Sequence, residues 1–380
     1  PEGTVVFPNE PLITVRAPII QAQLLETMLL LTTNHQSLIA TKTSRIVKEA
    51  QGKPVMEFGA RRAHGINAAV EGARAAIIGG AIGTSCTLSA KEFNVPASGT
   101  MAHSWIQSFD SEYEAFKSYA EIYPDDCTLL IDTYNTIESG LPNAIKVFNE
   151  VLKPKGYKPK AVRLDSGDLA YLSKKVRKIL DEAGYADCKI CATNSLDEYL
   201  IKSLIEQDAK IDSFGVGENL ITAKSEPVFG GVYKLVGIEK ENKIIPKIKV
   251  SENVAKVTNP GFKKVYRFYD NETQKAIADV IALSDEIIDE REYMIFDPQN
   301  PWKKKLIKDY TIRELQEKIF ENGKLIYKSP TLKEIARKSK KELDSMWEEV
   351  KRIENPHKYY VDLSKKLWVL KNNMLNNIYF

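Results

Sequence analysis

Arg163, Asp165, Ser166, Gly167 and Asp168 stand together in AVRLDSGDLAYLSKKVRKIL, the stretch from Ala161 to Leu180. An arginine and two carboxylates at the mouth of a short apolar strand suit phosphate and metal chemistry. Guanidinium forks match anionic oxygens, and carboxylates accept from hydroxyls or hold hard cations. Asp165 and Asp168 are therefore candidates for ribose hydroxyls or Mg²⁺. The same residues also fit an ordinary capped turn with a surface ion pair. What the other strand ends carry decides between these readings.

Those ends are alike. After the first strand comes EFGARRAHG, whose adjacent Arg61 and Arg62 suit a diphosphate or a carboxylate. Further along stand GTSC with Ser85, SGTMAHS with His103 and Ser104, DTYNT with Asp132, ATNS with Asn194, and SFGVGEN with Gly215 and Gly217. His103 can act as base or nucleophile, and the backbone N–H groups around Gly215 and Gly217 can meet a phosphate monoester. One polar, glycine-rich cluster per strand, in phase, points to a polyanionic, phosphorylated substrate.

The elements that must position these groups follow from periodicity. Strands are expected at 55–59, 81–86, 96–101, 128–134, 160–165, 189–193 and 211–216. Helices are expected between them at 66–78, 111–122, 141–152, 168–183 and 196–207. Ser166 or Asp168 can cap the fourth helix, Gly184 is placed to end it, and Ser195 with Glu198 predicts a capping box on the fifth. Repeated β/α units predict an α/β chain, either a parallel barrel of about seven strands or a doubly wound sheet. In a barrel the chemistry gathers at the carboxyl ends of the strands.

Around this core, residues 1–19 read as proline-punctuated β segments (Thr4–Phe7, Leu12–Val15) of a β-rich domain. Residues 20–229 read as a helical lead-in plus the α/β barrel, with one long or two abutting helices over Gln21–Ala50. Residues 230–284 read as hairpins returning to the β-rich domain. Residues 285–380 read as a mixed C-terminal extension with helices at 331–353 and 359–376.

Composition narrows the class. With 54 Lys and Arg against 51 Asp and Glu, a net charge of +3 points to neither nucleic acid nor a membrane surface. No apolar run is long enough to cross a bilayer. Four cysteines suggest a reducing, cytoplasmic setting, with Cys188 and Cys191 as buried strand residues rather than metal ligands. The start at Pro1, directly into β-rich sequence, reads as a beginning that has been cut away.

EFGARRAHG, GTMAHSWIQSF, LLIDTYNT, VRLDSGDLA, ATNSLDEYLI and IDSFGVGENL, in this order and spacing, resemble nicotinate phosphoribosyltransferase. The resemblance implies a type II phosphoribosyltransferase: an irregular α/β barrel beside an open β sandwich, in a homodimer with shared active sites. It implies transfer of a phosphoribosyl group from 5-phosphoribosyl-1-diphosphate to nicotinate, with Mg²⁺ and coupled ATP hydrolysis, and no dedicated metal-ligand set.

Residue by residue, His103 matches the histidine that ATP phosphorylates. Asp165 matches the ribose-facing carboxylate and Arg163 the arginine near the pyridine carboxylate. Phe58 matches the ring that stacks on the pyridine, and Arg61 and Arg62 match phosphate-holding arginines. Asn194, Gly215 and Gly217 match positions around the 5-phosphate. Ser85, Ser104, Asp132 and Asp168 complete the expected substrate shell. A serine at 85, where nicotinamide-using relatives carry aspartate, favours nicotinate. The family's N-terminal Asp-x-Tyr segment, whose tyrosine covers the pyridine from across the dimer, has no counterpart in these residues. The alternatives weighed are nicotinamide phosphoribosyltransferase, which Ser85 disfavours, and quinolinate phosphoribosyltransferase, which lacks the pattern around His103. A shortened, non-catalytic protein that binds phosphoribosyl diphosphate is a third.

Overall fold

The structure, a computed structural model, describes residues 1–252 and 257–377. Two compact units divide the chain, one of residues 33–229 and one combining 1–32 with 230–380. The lead-in is two abutting helices, α1 (Ile19–Leu24) and α2 (Glu26–Glu49). The division falls inside α2, so no turn signal in the sequence marks it.

The unit of residues 33–229 is built on one parallel sheet of five strands. These are β1 (Val55–Glu57), β2 (Thr128–Leu130), β3 (Ala161–Leu164), β4 (Lys189–Ala192) and β5 (Ser213–Val216), in the order β1-β5-β4-β3-β2. Between them run α3 (Ile66–Ile78), α4 (Thr87–Phe93), α5 (His103–Gln107), α6 (Glu112–Ile122), α7 (Leu141–Val147), α8 (Leu169–Glu182), α9 (Glu198–Glu206) and, after β5, α10 (Glu218–Ile221). The strands are near-continuous apolar runs because both faces are covered: Leu129, Leu130, Val162, Leu164, Ile190, Phe214 and Val216 are all buried. Each such side chain contributes roughly 1.5–3 kcal/mol on leaving water.

The seven expected strands become five. Segments 81–86 and 96–101 pair only at single residues, Thr84 bridging Glu57 on one side and Ala97 on the other. Gly83 weakens the first segment as a strand, and Pro96 gives the second no N–H for a ladder. Among the described residues no ladder joins Ala97 to β2.

Two helix ends bear on the site. Asp168 caps α8, its Oδ1 accepting from the Tyr171 N–H at 2.9 Å, and Gly184 ends the helix at φ +84°. On α9 the expected Ser195 capping box is replaced by Asp197, which accepts from the Leu200 N–H at 2.8 Å. Ser195 is unavailable because Asn194 and Ser195 both adopt left-handed backbone, at φ +90° and +49°.

The other unit is a set of antiparallel pieces. Hairpin β6 (Gly237–Lys240)/β7 (Lys243–Pro246) stands apart from a four-stranded sheet. That sheet holds β8 (Lys263–Asp270) and β9 (Ala276–Leu283), turned at Asp270, whose carboxylate accepts from the Thr273 N–H. Next come β10 (Glu292–Phe296) with β11 (Lys304–Lys308), β12 (Tyr310–Glu314), and the small hairpin β13 (Phe320–Glu321)/β14 (Lys324–Leu325). α11 (Leu332–Asp344), β15 (Val361–Leu363) and α12 (Lys365–Asn376) complete the chain, and the sheet order is β12-β8-β9-β15.

Three expectations change here. Residues beyond 284, expected as an extension, supply β12 and β15 to this sheet. Residues 359–363, expected as helix, are not helical: 361–363 pair with β9 in parallel, and Ser364 caps the helix that follows. Thr4–Phe7 and Leu12–Val15 form no strand, since Pro8 and Pro11 interrupt any ladder. Val5 and Phe7 pack instead on Ala276, Met346 and Tyr359. Residue 256, where the second hairpin was expected to begin, lies outside the described residues.

Candidate active site

The carboxyl ends of all five parallel strands, with the loop after segment 96–101, build the site. Arg163, the third residue of β3, spreads its guanidinium over three oxygens: Nε donates to Thr193 Oγ1 at 3.0 Å, Nη1 to Thr100 Oγ1 at 2.8 Å and Nη2 to Asp165 Oδ1 at 3.0 Å. A guanidinium so engaged is locked in plane and orientation. It also sits 5.9 Å from the centroid of the Phe58 ring.

Asp165 is the hub. Its Oδ1 accepts from both Arg163 and the Thr193 hydroxyl, and its Oδ2 lies 3.5 Å from His103 Nε2. Burial pushes its pKa up, but the Thr193 hydroxyl, Arg163 and His103 together outweigh that and hold it below the ordinary aspartate value. On the other side of the imidazole, Nδ1 lies 3.1 Å from Thr133 Oγ1. The ring of His103, the first residue of α5, is thus gripped at both nitrogens and remains part-exposed.

Asp132, at the end of β2, holds the same loop. Its Oδ2 accepts from the Asp165 N–H at 2.9 Å and the Ser166 hydroxyl at 2.6 Å, whereas its buried Oδ1 has no donor in reach.

Phe58 follows β1, its N–H donating to Val216 O at 2.8 Å. A Cβ on Gly215 would lie 2.5 Å from the Phe58 ring, and one on Gly217 would lie 3.0 Å from the Phe58 carbonyl oxygen. Both glycines therefore let the aromatic residue close on β5. Arg61 and Arg62 lie on one exposed turn, Arg62 Nε standing 3.9 Å from Glu218 Oε2. Asn219, buried on α10, donates from Nδ2 to the carbonyls of Ser195 (2.8 Å) and Leu196 (3.2 Å), pinning the left-handed turn that presents Asn194.

Of the sequence-derived residues, His103, Arg163, Asp165, Asp132 and Phe58 form one connected set. Ser85, Ser104 and Asn194 are exposed on the loops around it. Asp168 is engaged in capping α8, which leaves it a helix-terminal role alongside any ligand role. Sequence reasoning passed over Thr100, Thr133 and Thr193, which share the clusters SGTMAHS, DTYNT and ATNS with residues it did select. Hydroxyl neighbours within such clusters were the available signal. Asn219 gave none. Cys188 and Cys191 are buried free thiols, and among the described residues no group of His, Cys, Asp and Glu could hold a metal alone. Burial pushes Cys188 up to about 12, as expected of an inert thiol.

An ionised carboxylate, an immobilised arginine and a gripped imidazole thus gather at the carboxyl edge of a parallel α/β sheet, groups suited to holding an anion. The comparisons with known proteins make the class specific. The sequence model of the nicotinate phosphoribosyltransferase (NAPRTase) family matches residues 54–282, and that of the nicotinate phosphoribosyltransferase C-terminal domain matches 262–371. The nicotinate phosphoribosyltransferase of Bacillus subtilis is 47% identical over 378 residues, 99% of this chain and 76% of the relative. That of Dictyostelium discoideum is 33% identical over 427 residues, covering 98% of this chain and 72% of the relative. The crystal structure of human nicotinic acid phosphoribosyltransferase superimposes with a TM-score of 0.83 at 25% identity, covering 99% of this chain and 81% of that one. The chain belongs to the nicotinate phosphoribosyltransferase family, which makes it a glycosyltransferase of NAD biosynthesis.

Proposed function

We propose that the chain joins nicotinate to 5-phosphoribosyl-1-diphosphate, giving nicotinate mononucleotide and diphosphate, with ATP hydrolysis coupled through a phosphohistidine at His103. The observation that carries the reading is the imidazole held between Asp165 and Thr133 beside Arg163. The pyridine nitrogen forms the new bond to the ribose C1 as the C1–oxygen bond to diphosphate breaks. That nitrogen is already nucleophilic, so no strong base is required.

Asp165, kept ionised, faces the cationic character that develops on the ribose. Arg61 and Arg62 suit the leaving diphosphate, and Asn194 with the loop at Gly217 suits the 5-phosphate. Phe58 offers its ring to the pyridine, with Arg163 close enough to that ring to reach a carboxylate on it. Ser85 can donate to the same carboxylate, where an aspartate would repel it. In the priming step the γ-phosphoryl group passes from ATP to His103, which releases ADP, and water later cleaves the phosphoryl–nitrogen bond.

Mg²⁺ fits the residues present. Asp132 Oδ1 is a buried carboxylate oxygen without a donor, next to Asp165, and this ion is held by one or two carboxylates plus substrate oxygens. Asp132 and Asp165 would hold it, and it would neutralise the leaving diphosphate. The barrel closure, the homodimer with shared sites and the cytoplasmic setting belong to the same proposal, supported by the family membership.

The test is product formation from nicotinate and phosphoribosyl diphosphate with Mg²⁺, with and without ATP, beside His103→Ala. We expect product in the wild type and loss of ATP stimulation in the variant. Stimulation that survives in His103→Ala removes the phosphohistidine from the scheme. Faster turnover of nicotinamide than of nicotinate would replace the substrate.

A further inference from the structure

Glu57, the last residue of β1, is fully buried, and the hydrogen bonds described for it come from neutral groups. Its Oε1 accepts from the Gly59 N–H and its Oε2 from the Thr84 hydroxyl at 2.6 Å. Thr84 Oγ1 in turn accepts from the Cys86 N–H at 2.9 Å. The main chain of Glu57 ties the same two segments: its N–H donates to Gly83 O and its carbonyl accepts from the Ser85 N–H, both at 2.9 Å. A carboxyl taken out of water without a cation costs free energy, and burial pushes this one above the ordinary glutamate range despite its two donors. An apolar residue would fill the space without that cost, so its retention calls for a positional reason.

The reason lies in its neighbours. Gly59 follows Phe58, and Thr84 precedes Ser85. The two residues that flank the proposed pyridine pocket are thus each one peptide away from an atom bound by the same carboxyl group. Main-chain bonds, including Ile82 N–H to Val55 O at 2.9 Å, join β1 to segment 81–86 as far as Glu57 and Ser85. Beyond that point the carboxyl group is what ties the Gly59 N–H, after Phe58, to the Thr84 side chain.

We propose that Glu57, through Thr84, is a positioning residue for the pyridine pocket: it sets the spacing between the Phe58 ring and the Ser85 hydroxyl, and with it the preference for a pyridine carboxylate. This rests on the reading of Phe58 and Ser85 under Proposed function.

The experiment compares Glu57→Gln, Thr84→Val and Thr84→Ser with Phe58→Ala and Ser85→Ala, measuring KM for nicotinate, KM for phosphoribosyl diphosphate, the rate ratio of nicotinate to nicotinamide, and Tm. Thr84→Val keeps the side-chain shape while removing the donor, so it tests the idea even if Glu57→Gln fails to fold. We expect Thr84→Val to raise the nicotinate KM about tenfold, the scale of one hydrogen bond lost to a buried carboxyl group. KM for phosphoribosyl diphosphate should stay within about twofold, the nicotinate preference should narrow, and Thr84→Ser should restore both. A Thr84→Val variant that moves both KM values equally, or only Tm, reduces Glu57 to a structural role and overturns the proposal. If Phe58→Ala and Ser85→Ala leave the nicotinate KM unchanged, the pocket assignment itself fails, which is a separate outcome.

Discussion

Two arginine–carboxylate clusters in this molecule are built from the same groups to opposite ends. In the unit of residues 33–229, Arg163 and Asp165 leave one carboxylate oxygen facing a part-exposed histidine. In the β-rich unit, Arg267 is fully buried and makes four hydrogen bonds. Its Nε and Nη2 donate to the two oxygens of Asp279 at 2.8 and 2.6 Å, Nη1 to Glu342 Oε2 at 3.2 Å, and Nη2 also to Val5 O at 2.8 Å. Arg313 donates to the same Glu342, and the Tyr359 hydroxyl donates to Asp279. Above the guanidinium, the rings of Phe7 and Tyr359 stack at 3.9 Å. The hydrogen bonds of the second cluster all go to the fold; the first keeps an oxygen and an imidazole in reserve. Incomplete satisfaction, at a site reachable by solvent, separates a chemical site from a structural one.

That contrast breaks most readily at Arg267. Arg267→Met strands Asp279 and Glu342 in a buried setting, at a cost of about 3–5 kcal/mol, or about 10 °C in Tm. Calorimetry that finds the variant as stable as the wild type would mean the network is ornamental. The converse variant is Asp165→Asn. It should lower kcat/KM about 10²–10³-fold through lost electrostatic stabilisation while moving Tm by only about 2 °C. A large Tm loss without a rate loss would put Asp165 in the structural class.

Glu10 sharpens the comparison further. Burial, and then its hydrogen bond to Asp279, push its pKa well above the ordinary glutamate value of 4.5, and no donor reaches its Oε1, as expected of a group that carries its own proton. Because the folded pKa is the higher one, folding takes up a proton above pH 4.5, and stability declines as pH rises from there towards the folded value. Glu10→Gln keeps the shape and removes the linkage. Its stability relative to wild type should grow between about pH 6 and pH 9 and be nil near pH 4. Denaturant melts across that range check it, and a constant difference would show that Glu10 is ionised in the fold.

Legibility in the sequence followed the locality of the forces. α3 appears over the residues that helical spacing indicated, and α8 begins and ends where Asp168 and Gly184 said, because caps and periodicity act within a few residues. The carboxyl-end clusters were legible for the same reason: each is a local run of polar and glycine residues after an apolar strand. The weaker readings were those that needed a partner. Segments 81–86 and 96–101 have strand composition but acquire only single bridges. Residues 361–363 look helical until β9 supplies a parallel neighbour.

By itself, then, the sequence determined the rhythm of strand, polar cluster and helix, and the residue types at each strand end. Those depend on side-chain period and backbone preference within one segment. Only the tertiary structure decided that Thr100, Thr133 and Thr193 hold the arginine, histidine and aspartate, that Gly215 is bare so that Phe58 can close on β5, and that Glu57 ties two pocket walls together. Each of those contacts joins residues far apart in the chain. Their hydrogen bonds and clearances exist only once the parallel strands have set the order in which the loops meet.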